Sequence, residues 1–132
     1  MANAVDLHGV AFKHGSATLL ARVVGADATP IIPFDIASAQ YTAYLLDPRD
    51  PDVVTPIDGH VDVAVDVATL LYDTLQKDDL WSVDAVGYNF KHVLDVSANH
   101  ALVVAGRDHR IVFELMPNDG QIILVRFALR VI

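Results

Sequence analysis

The stretch RIVFELMPNDGQIILVRFALRVI, from Arg110 to Ile132, decides the fold class. Apolar residues alternate with polar or small ones on both sides of a central Asn-Asp-Gly turn. Successive side chains of a β-strand point to opposite faces, so each half predicts a strand with one apolar face. These apolar positions are Ile111, Phe113 and Leu115 in the first half, and Ile123, Val125, Phe127, Leu129 and Val131 in the second.

The register of this hairpin follows from its alternation. Both apolar faces must point into one core, which requires a connecting loop of odd length. Asn118-Asp119-Gly120 fits as a three-residue loop, with Gly120 at the left-handed position of a G1 bulge. Phe113 is therefore predicted to face Val125, and Glu114 to lie near Leu124 and Arg126 on the outer face.

The same period-two pattern recurs along the chain between turn-forming segments. Short strands at this spacing predict one all-β domain over residues 1–132, an immunoglobulin-like antiparallel β-sandwich. Val67 to Gln76 breaks the pattern with helix-like offsets, so one short helical crossover is expected near residues 68–76. The predicted strands are Ala17–Val24, Ser38–Leu46, His60–Val67, Tyr88–Val96, Ala101–Ala105, Ile111–Met116 and Gln121–Ile132.

Composition and charge narrow the function classes. A chain of 132 residues with 53% hydrophobic residues can bury a real core, yet no apolar run approaches the ~20 residues of a membrane helix. The formal net charge of −8 argues against nucleic acid and anionic membranes as partners. No signal peptide is recognised, and the absence of cysteine excludes disulfides and thiolate sites. A cytoplasmic or virion-associated protein is expected.

The segment GHVDVAVDV, from Gly59 to Val67, offers a possible metal site. Alternate residues His60, Asp62 and Asp66 would share one face of a strand, and such pairs can converge on an ion. The alternative is a solvated stripe opposite a row of core-facing valines. On that interpretation Val63→Asp unfolds the domain, whereas His60→Ala leaves the fold intact.

Two further segments carry candidate ligand chemistry. The acidic, proline-rich loop around Asp50 and Asp52 could hold Ca²⁺, although three prolines also make a stiff solvated connection. Trp81 and Tyr88 could stack on a sugar or anchor a protein interface, whereas core packing is the competing role for at least two of Trp81, Tyr88 and Phe90. No catalytic string such as GxSxG or HExxH occurs, so no catalytic residue is assigned.

The order LYDTLQKDDLWSVDAVGYNFKHVL followed by RIVFELMPNDGQIILVRFALRVI resembles small bacterial or phage-associated immunoglobulin-like β-sandwich modules. A helical turn, a GYNF-like aromatic segment and a final F–G-like hairpin occur there in this sequence. The resemblance implies a structural or adaptor module that packs against copies of itself or a partner, with no catalytic residues to carry over. The Cys…Trp…Cys pattern of antibody domains is absent.

Three function hypotheses follow. The first is a non-enzymatic structural or protein-interaction module that self-associates, without a cofactor. The second is a carbohydrate- or calcium-binding module that uses Trp81 and Tyr88 or the acidic loop from Asp47 to Asp58, which contains Asp50 and Asp52. The third is a metal-dependent hydrolase that uses His60 and Asp62.

Overall fold

The structure is a computed structural model that describes residues 6–11, 17–24, 29–50, 52–78, 85–94, 104–118 and 121–132. Strands dominate these residues, which confirms the all-β prediction. The elements are β1 (Asp6–Ala11), β2 (Ala17–Ala21), a 3₁₀ turn (Pro33–Asp35), β3 (Ile36–Leu46), β4 (Val54–Pro56), β5 (Val63–Val65), α1 (Val67–Leu70), β6 (Leu71–Gln76), β7 (Tyr88–Leu94), β8 (Asp108–Pro117) and β9 (Ile123–Val131). Among the described residues, no helix has the length and apolar character needed to cross a bilayer.

Two sheets pack face to face as a sandwich. The large sheet has the strand order β1-β9-β8-β3-β4, with β5 also paired to β3, and the small sheet has the order β2-β7-β6. All named pairings are antiparallel except β1 with β9, which is parallel. The antiparallel sandwich is therefore confirmed, with one parallel pair added at an edge of the large sheet.

The C-terminal hairpin has the predicted register. Phe113 pairs with Val125 and Glu114 with Leu124. The last pair before the turn is Leu115 with Ile123, which leaves the odd-length connection that the alternation requires. Asp119 and Gly120 lie outside the described residues, so the G1 bulge stays a prediction.

Aromatic rings from both sheets fill the centre of the core. Phe113 of β8 is fully buried, and its ring centroid lies 4.9 Å from that of Phe90 in β7 and 5.9 Å from that of Phe127 in β9. The Phe90 and Phe127 contacts with Phe113 are edge-on, as the quadrupoles of aromatic rings favour. The Phe90–Phe113 contact joins the two sheets, so the inward-facing residues predicted from the alternation form the packed centre of the sandwich.

The predicted helical crossover between the sheets is present but shorter than residues 68–76, and it lies between β5 of the large sheet and β6 of the small sheet. Only Val67–Leu70 is helical, begun by Asp66, whose Oδ1 accepts a hydrogen bond from the Ala68 amide at 3.0 Å. From Leu71 the chain continues as β6, and Leu71 pairs with Phe90. Leu70 and Leu71 are both buried although they are adjacent, because the helix ends and the strand begins between them.

The predicted strand His60–Val67 is also wrong over its first half. Asp62 has a φ of 51°, a left-handed conformation that a continuous strand does not allow, and only Val63–Val65 is extended and paired. His60 is buried at 4% exposure whereas Val61 is 50% exposed, the reverse of the predicted faces. Val63 is half-buried, so Val63→Asp remains a prediction but with a smaller expected loss of stability.

Other strand boundaries differ by a few residues. β2 ends at Ala21, and Val24 then forms an isolated antiparallel bridge with Pro30. Of the predicted strand at residues 101–105, Ala105 lies in a turn and residues 101–103 are outside the described part of the chain. The sequence reading missed β1, β4 and β6.

Candidate functional site

His60 forms a buried pair with Tyr41. The sequence analysis had placed His60 on a metal-binding or solvated face instead. His60 Nδ1 lies 2.8 Å from the Tyr41 hydroxyl, and both residues are almost completely buried. The backbone fixes His60 beside β3, because its carbonyl accepts from the Ala43 amide at 2.8 Å and its own amide donates to the Ile57 carbonyl at 3.0 Å. Burial raises the pKa of Tyr41, so the phenol stays protonated.

A second histidine approaches Tyr41 from the small sheet. The Tyr41 ring centroid lies 5.4 Å from that of His92 in β7 and 5.9 Å from that of His60. Burial lowers the pKa of His92, which favours its neutral form at pH 7. We call Tyr41, His60 and His92 the histidine–tyrosine cluster. The Tyr41–His92 ring contact joins the two sheets, and the Tyr41–His60 hydrogen bond holds the segment before β5 against β3, so the cluster has a packing role.

Asp62 has different partners on the outer face of the large sheet. Its amide donates to Thr42 Oγ1 at 3.0 Å, and its Oδ1 accepts from Gln40 Nε2 at 3.3 Å. Gln40 Nε2 also lies 3.5 Å from Glu114 Oε1. These bonds hold the left-handed turn at Asp62. His60 is bonded to Tyr41 instead, so the two residues of the predicted metal-binding pair have different partners.

The acidic loop uses its carboxylates to close turns. Asp47 Oδ1 accepts from the amides of Arg49 at 2.8 Å and Asp50 at 3.2 Å, and Asp50 Oδ1 accepts from the Asp52 amide at 3.1 Å. Such bonds to the following backbone are typical of aspartate in turns. Within the described ranges, no three histidine or carboxylate side chains group so that they could hold a metal ion. The loop geometry thus gives the calcium hypothesis no support.

Of the two aromatic candidates, Tyr88 is placed and Trp81 lies outside the described residues. Tyr88 is 1% exposed, and its hydroxyl donates to Asp78 Oδ2 at 2.7 Å. Burial, together with the hydrogen bond to Asp78, raises the pKa of Tyr88 to about 12. The predicted stacking platform is therefore wrong for Tyr88, because its ring packs inside and meets Tyr72 edge-on at 5.9 Å. Phe90 is fully buried, as the core-packing alternative predicts.

Sequence reasoning missed an exposed apolar group at the hairpin end of the large sheet. Leu124 lies opposite Glu114 on the outer face. Met116 and Ile122 are the next residues toward the turn after the pair Leu115–Ile123. Beside them, Asn118 Nδ2 donates to the Phe34 carbonyl at 2.7 Å. Exposure is 83% for Phe34, 40% for Met116, 48% for Ile122 and 37% for Leu124. We call Met116, Ile122 and Leu124 the outer-face patch.

A cavity of 320 Å³ lies at the opposite end of β8. Two arginines contribute to it, and both are engaged: Arg107 Nε donates to the Leu46 carbonyl at 3.1 Å, and Arg130 pairs with Asp108 at 3.2 Å. The cavity is lined by Leu46, Asp47, Pro48, Gly106, Arg107, Asp108 and Arg130. The positive charges of Arg107 and Arg130 are balanced by Asp47 and Asp108 in the cavity wall, so the cavity presents no concentrated charge to a ligand.

Replacing His60 with alanine is now expected to destabilise the fold, which reverses the sequence-based expectation. The change leaves the buried Tyr41 hydroxyl without its partner and opens a small void. A loss of about 2–3 kcal/mol in the free energy of unfolding is expected from urea denaturation. Val61→Ala, at the half-exposed neighbouring position, is the control and should lose less. Equal losses in the two variants would contradict a role for the buried hydrogen bond.

Acid should destabilise the domain through His92 and His109. His109 is fully buried with its Nε2 unbonded, and burial is the main cause that lowers its pKa. A histidine whose folded-state pKa is lowered takes up its proton more readily when unfolded, so stability is lost as the pH falls below the unfolded value of about 6.5. We expect the urea midpoint to drop between about pH 7.5 and 5.5. His109→Leu should lose less over that interval, and an identical loss would contradict the assignment.

No protein-family model, curated protein or solved structure matches this chain. The function must therefore be argued from the fold, the buried polar contacts and the exposed surface.

Proposed function

We propose that this domain is a non-enzymatic protein-interaction module of immunoglobulin-like topology that associates with copies of itself. The residues that a hydrolase would need, His60 and Asp62, are each taken up in separate structural hydrogen bonds. The described surface instead carries a group of neighbouring exposed apolar residues, the outer-face patch, at the hairpin end of the large sheet.

The strand order supports the immunoglobulin-like part of the proposal. A variable-type immunoglobulin sheet has the order G-F-C-C′, opposite a sheet that contains B, E and D. The large sheet here runs β9-β8-β3-β4, and the small sheet runs β2-β7-β6. If β2 corresponds to strand B, then β3, β6, β7, β8 and β9 correspond in chain order to C, D, E, F and G. With these letters, the strand order agrees with the immunoglobulin order in both sheets.

The observation that carries the proposed self-association is the outer-face patch. Ile122, Leu124 and Met116 occupy neighbouring positions on a strand pair whose other outward residues are mostly polar or charged. Contiguous exposed apolar side chains with a polar rim are typical of protein contact sites. A two-fold contact needs only one such patch, because it meets its own counterpart on the second copy.

Charge at the rim fits a two-fold contact. Glu114 lies opposite Leu124, and Arg126 follows Leu124 by two residues on the same face of β9, so a carboxylate and a guanidinium lie beside the apolar patch on the side away from the turn. Across a two-fold axis, the glutamate of each copy can face the arginine of the other. The net charge of −8 opposes association over longer distances, whereas the rim contacts favour it, so the association is measured at both low and high salt.

The test is the size of the protein in solution after disrupting the patch. Light scattering and sedimentation at about 100 μM should show a dimer for the wild type and a monomer for the double variant Ile122→Lys, Leu124→Lys. Val93→Lys is the matched control, because Val93 is 51% exposed on a strand of the small sheet, away from the patch.

Two results would overturn the proposed contact. One is a wild-type protein that stays monomeric at this concentration in both low and high salt. The other is equal dissociation by Val93→Lys, which would show that any added charge disperses the protein. Retained dimerisation in the Val93 variant with loss in the double variant supports the patch.

A further inference from the structure

One member of the outer-face patch carries a reactive atom. Met116 has a thioether sulfur, whereas the side chains of Ile122 and Leu124 are pure hydrocarbon. The chain has no cysteine and two methionines, Met1 and Met116, of which Met1 lies outside the described residues. Met116 therefore holds the only sulfur atom in the described part of the chain, and it lies in the surface proposed above as the contact between copies.

The surroundings of Met116 leave it open to solvent within one copy. Its side chain is 40% exposed on the outer face of β8. Its register partner in β3 is Ser38, which is itself exposed and too short to cover a methionine. Ile122, at the same end of the hairpin, is 48% exposed. A small uncharged oxidant can therefore reach Met116 without any opening of the fold.

Hydrogen peroxide converts a thioether into a sulfoxide in one balanced step. A lone pair of the sulfur attacks one peroxide oxygen, so an S–O bond forms as the O–O bond breaks. The proton of the transferred hydroxyl passes to the departing hydroxide, which leaves as water. The sulfur is oxidised and the peroxide is reduced. The flexible apolar side chain becomes polar and chiral, and methionine sulfoxide reductases reverse the change, with one enzyme for each epimer.

A sulfoxide at this position opposes a contact through the patch. Its oxygen is a hydrogen-bond acceptor, and burying such an atom against apolar side chains without a donor is unfavourable. The side chains of Ile122 and Leu124 contain no donor. A two-fold contact contains the patch twice, so it would bury a sulfoxide from each copy.

We propose that Met116 is a site of reversible oxidation by peroxides, and that the sulfoxide separates associated copies of this domain. The inference deepens the self-association proposed above and rests on it. Ile122 and Leu124 supply apolar area that oxidation leaves unchanged, and Met116 supplies the part that responds. Oxidation of Met116 should raise the dissociation constant about tenfold or more.

The test compares self-association with Met116 reduced and oxidised. Wild-type protein is treated with hydrogen peroxide until peptide mass spectrometry finds one added oxygen on Met116 in nearly every chain. Sedimentation over a dilution series from about 100 μM downward then gives the dissociation constant. Treatment with both methionine sulfoxide reductases and dithiothreitol should return the constant to its original value.

Met116→Leu is the matched control, because leucine keeps an apolar side chain of similar volume and has no sulfur. This variant should associate like the wild type, and the same peroxide treatment should leave its dissociation constant unchanged. It thereby separates oxidation at Met116 from oxidation at Met1 or Trp81. Met116→Gln places a polar amide at the position without any oxidant, and should weaken association about as much as the sulfoxide does.

The rate of oxidation tests the site by a readout that is independent of size. In the variant Ile122→Lys, Leu124→Lys, Met116 should be oxidised within about threefold of the rate of a free methionine peptide. Hydrogen peroxide is uncharged, so the added lysines do not change its local concentration. In associated wild-type protein the rate should be lower, because the contact covers Met116.

The outcomes separate this inference from the contact on which it rests. A wild-type protein that is monomeric before oxidation overturns the outer-face contact and the inference together. An unchanged dissociation constant after full oxidation of Met116 overturns the inference alone and leaves the contact standing. Equal weakening in peroxide-treated Met116→Leu also overturns it, since the responding residue then lies elsewhere. Oxidation in the lysine double variant that is far slower than in the free peptide would show that Met116 is covered within one copy, and would overturn the site itself.

Discussion

Replacing Phe113 with alanine should lower the free energy of unfolding by about 3–5 kcal/mol. The ring is fully buried and lies within 6 Å, centroid to centroid, of the rings of Tyr41, Phe90, His92 and Phe127. Its removal leaves a cavity between the two sheets and ends the edge-on ring contacts that join them. Urea denaturation followed by tryptophan fluorescence and circular dichroism measures the loss.

Phe34→Ala is the matched control for this prediction. Phe34 is 83% exposed, so the same chemical change should alter the free energy of unfolding by less than about 0.5 kcal/mol. If Phe113→Ala lost no more than Phe34→Ala, the core assigned to the sandwich centre would be wrong.

Replacing Gly87 with alanine should cost about 2–4 kcal/mol, the second large effect. Gly87 has a φ of 111°, which residues with a side chain rarely adopt, and an added Cβ would lie 2.5 Å from the carbonyl oxygen of Gln76. That oxygen belongs to the backbone at the end of β6, where Gln76 pairs with Tyr88, so it cannot move aside without breaking the pairing. The same denaturation measurement applies.

Gly106→Ala separates the steric part of this cost from the conformational part. Gly106 has a φ of 82°, but an added Cβ would meet no atom within 4 Å. It should therefore lose only about 1 kcal/mol, from backbone strain alone. Equal losses at the two glycines would show that the close approach of Gly87 to Gln76 contributes nothing.

Strict alternation predicted the β8–β9 hairpin and failed at His60–Val67, and the contrast has a physical cause. In the hairpin, both strands stay extended from end to end, so odd and even positions keep their faces. At Asp62 the backbone turns left-handed, and the parity of the pattern changes there. Hydrophobic alternation does not encode a torsion angle, so the valines of GHVDVAVDV looked like one continuous face.

The buried contacts of the candidate site could not be predicted because their partners are distant in sequence. Tyr41 bonds to His60, and Tyr88 bonds to Asp78 after a change of direction that local periodicity does not specify. The outer-face patch did leave a local signal. Ile122 and Leu124 are apolar, although the alternation along β9 and the residue before it predicts polar, outward-facing side chains there. Apolar residues at such positions indicate a contact surface.

The parallel pairing of β1 with β9 also sets an order of events in time. Asp6 must meet Arg126, so this contact closes nearly the whole chain and carries the largest loop-closure entropy of any pairing in the sheet. On a ribosome that adds about 5–20 residues per second, β1 leaves the exit tunnel several seconds before β9 exists. β1 therefore has no sheet partner until the last strand is synthesised, so its docking on β9 is among the last steps of folding.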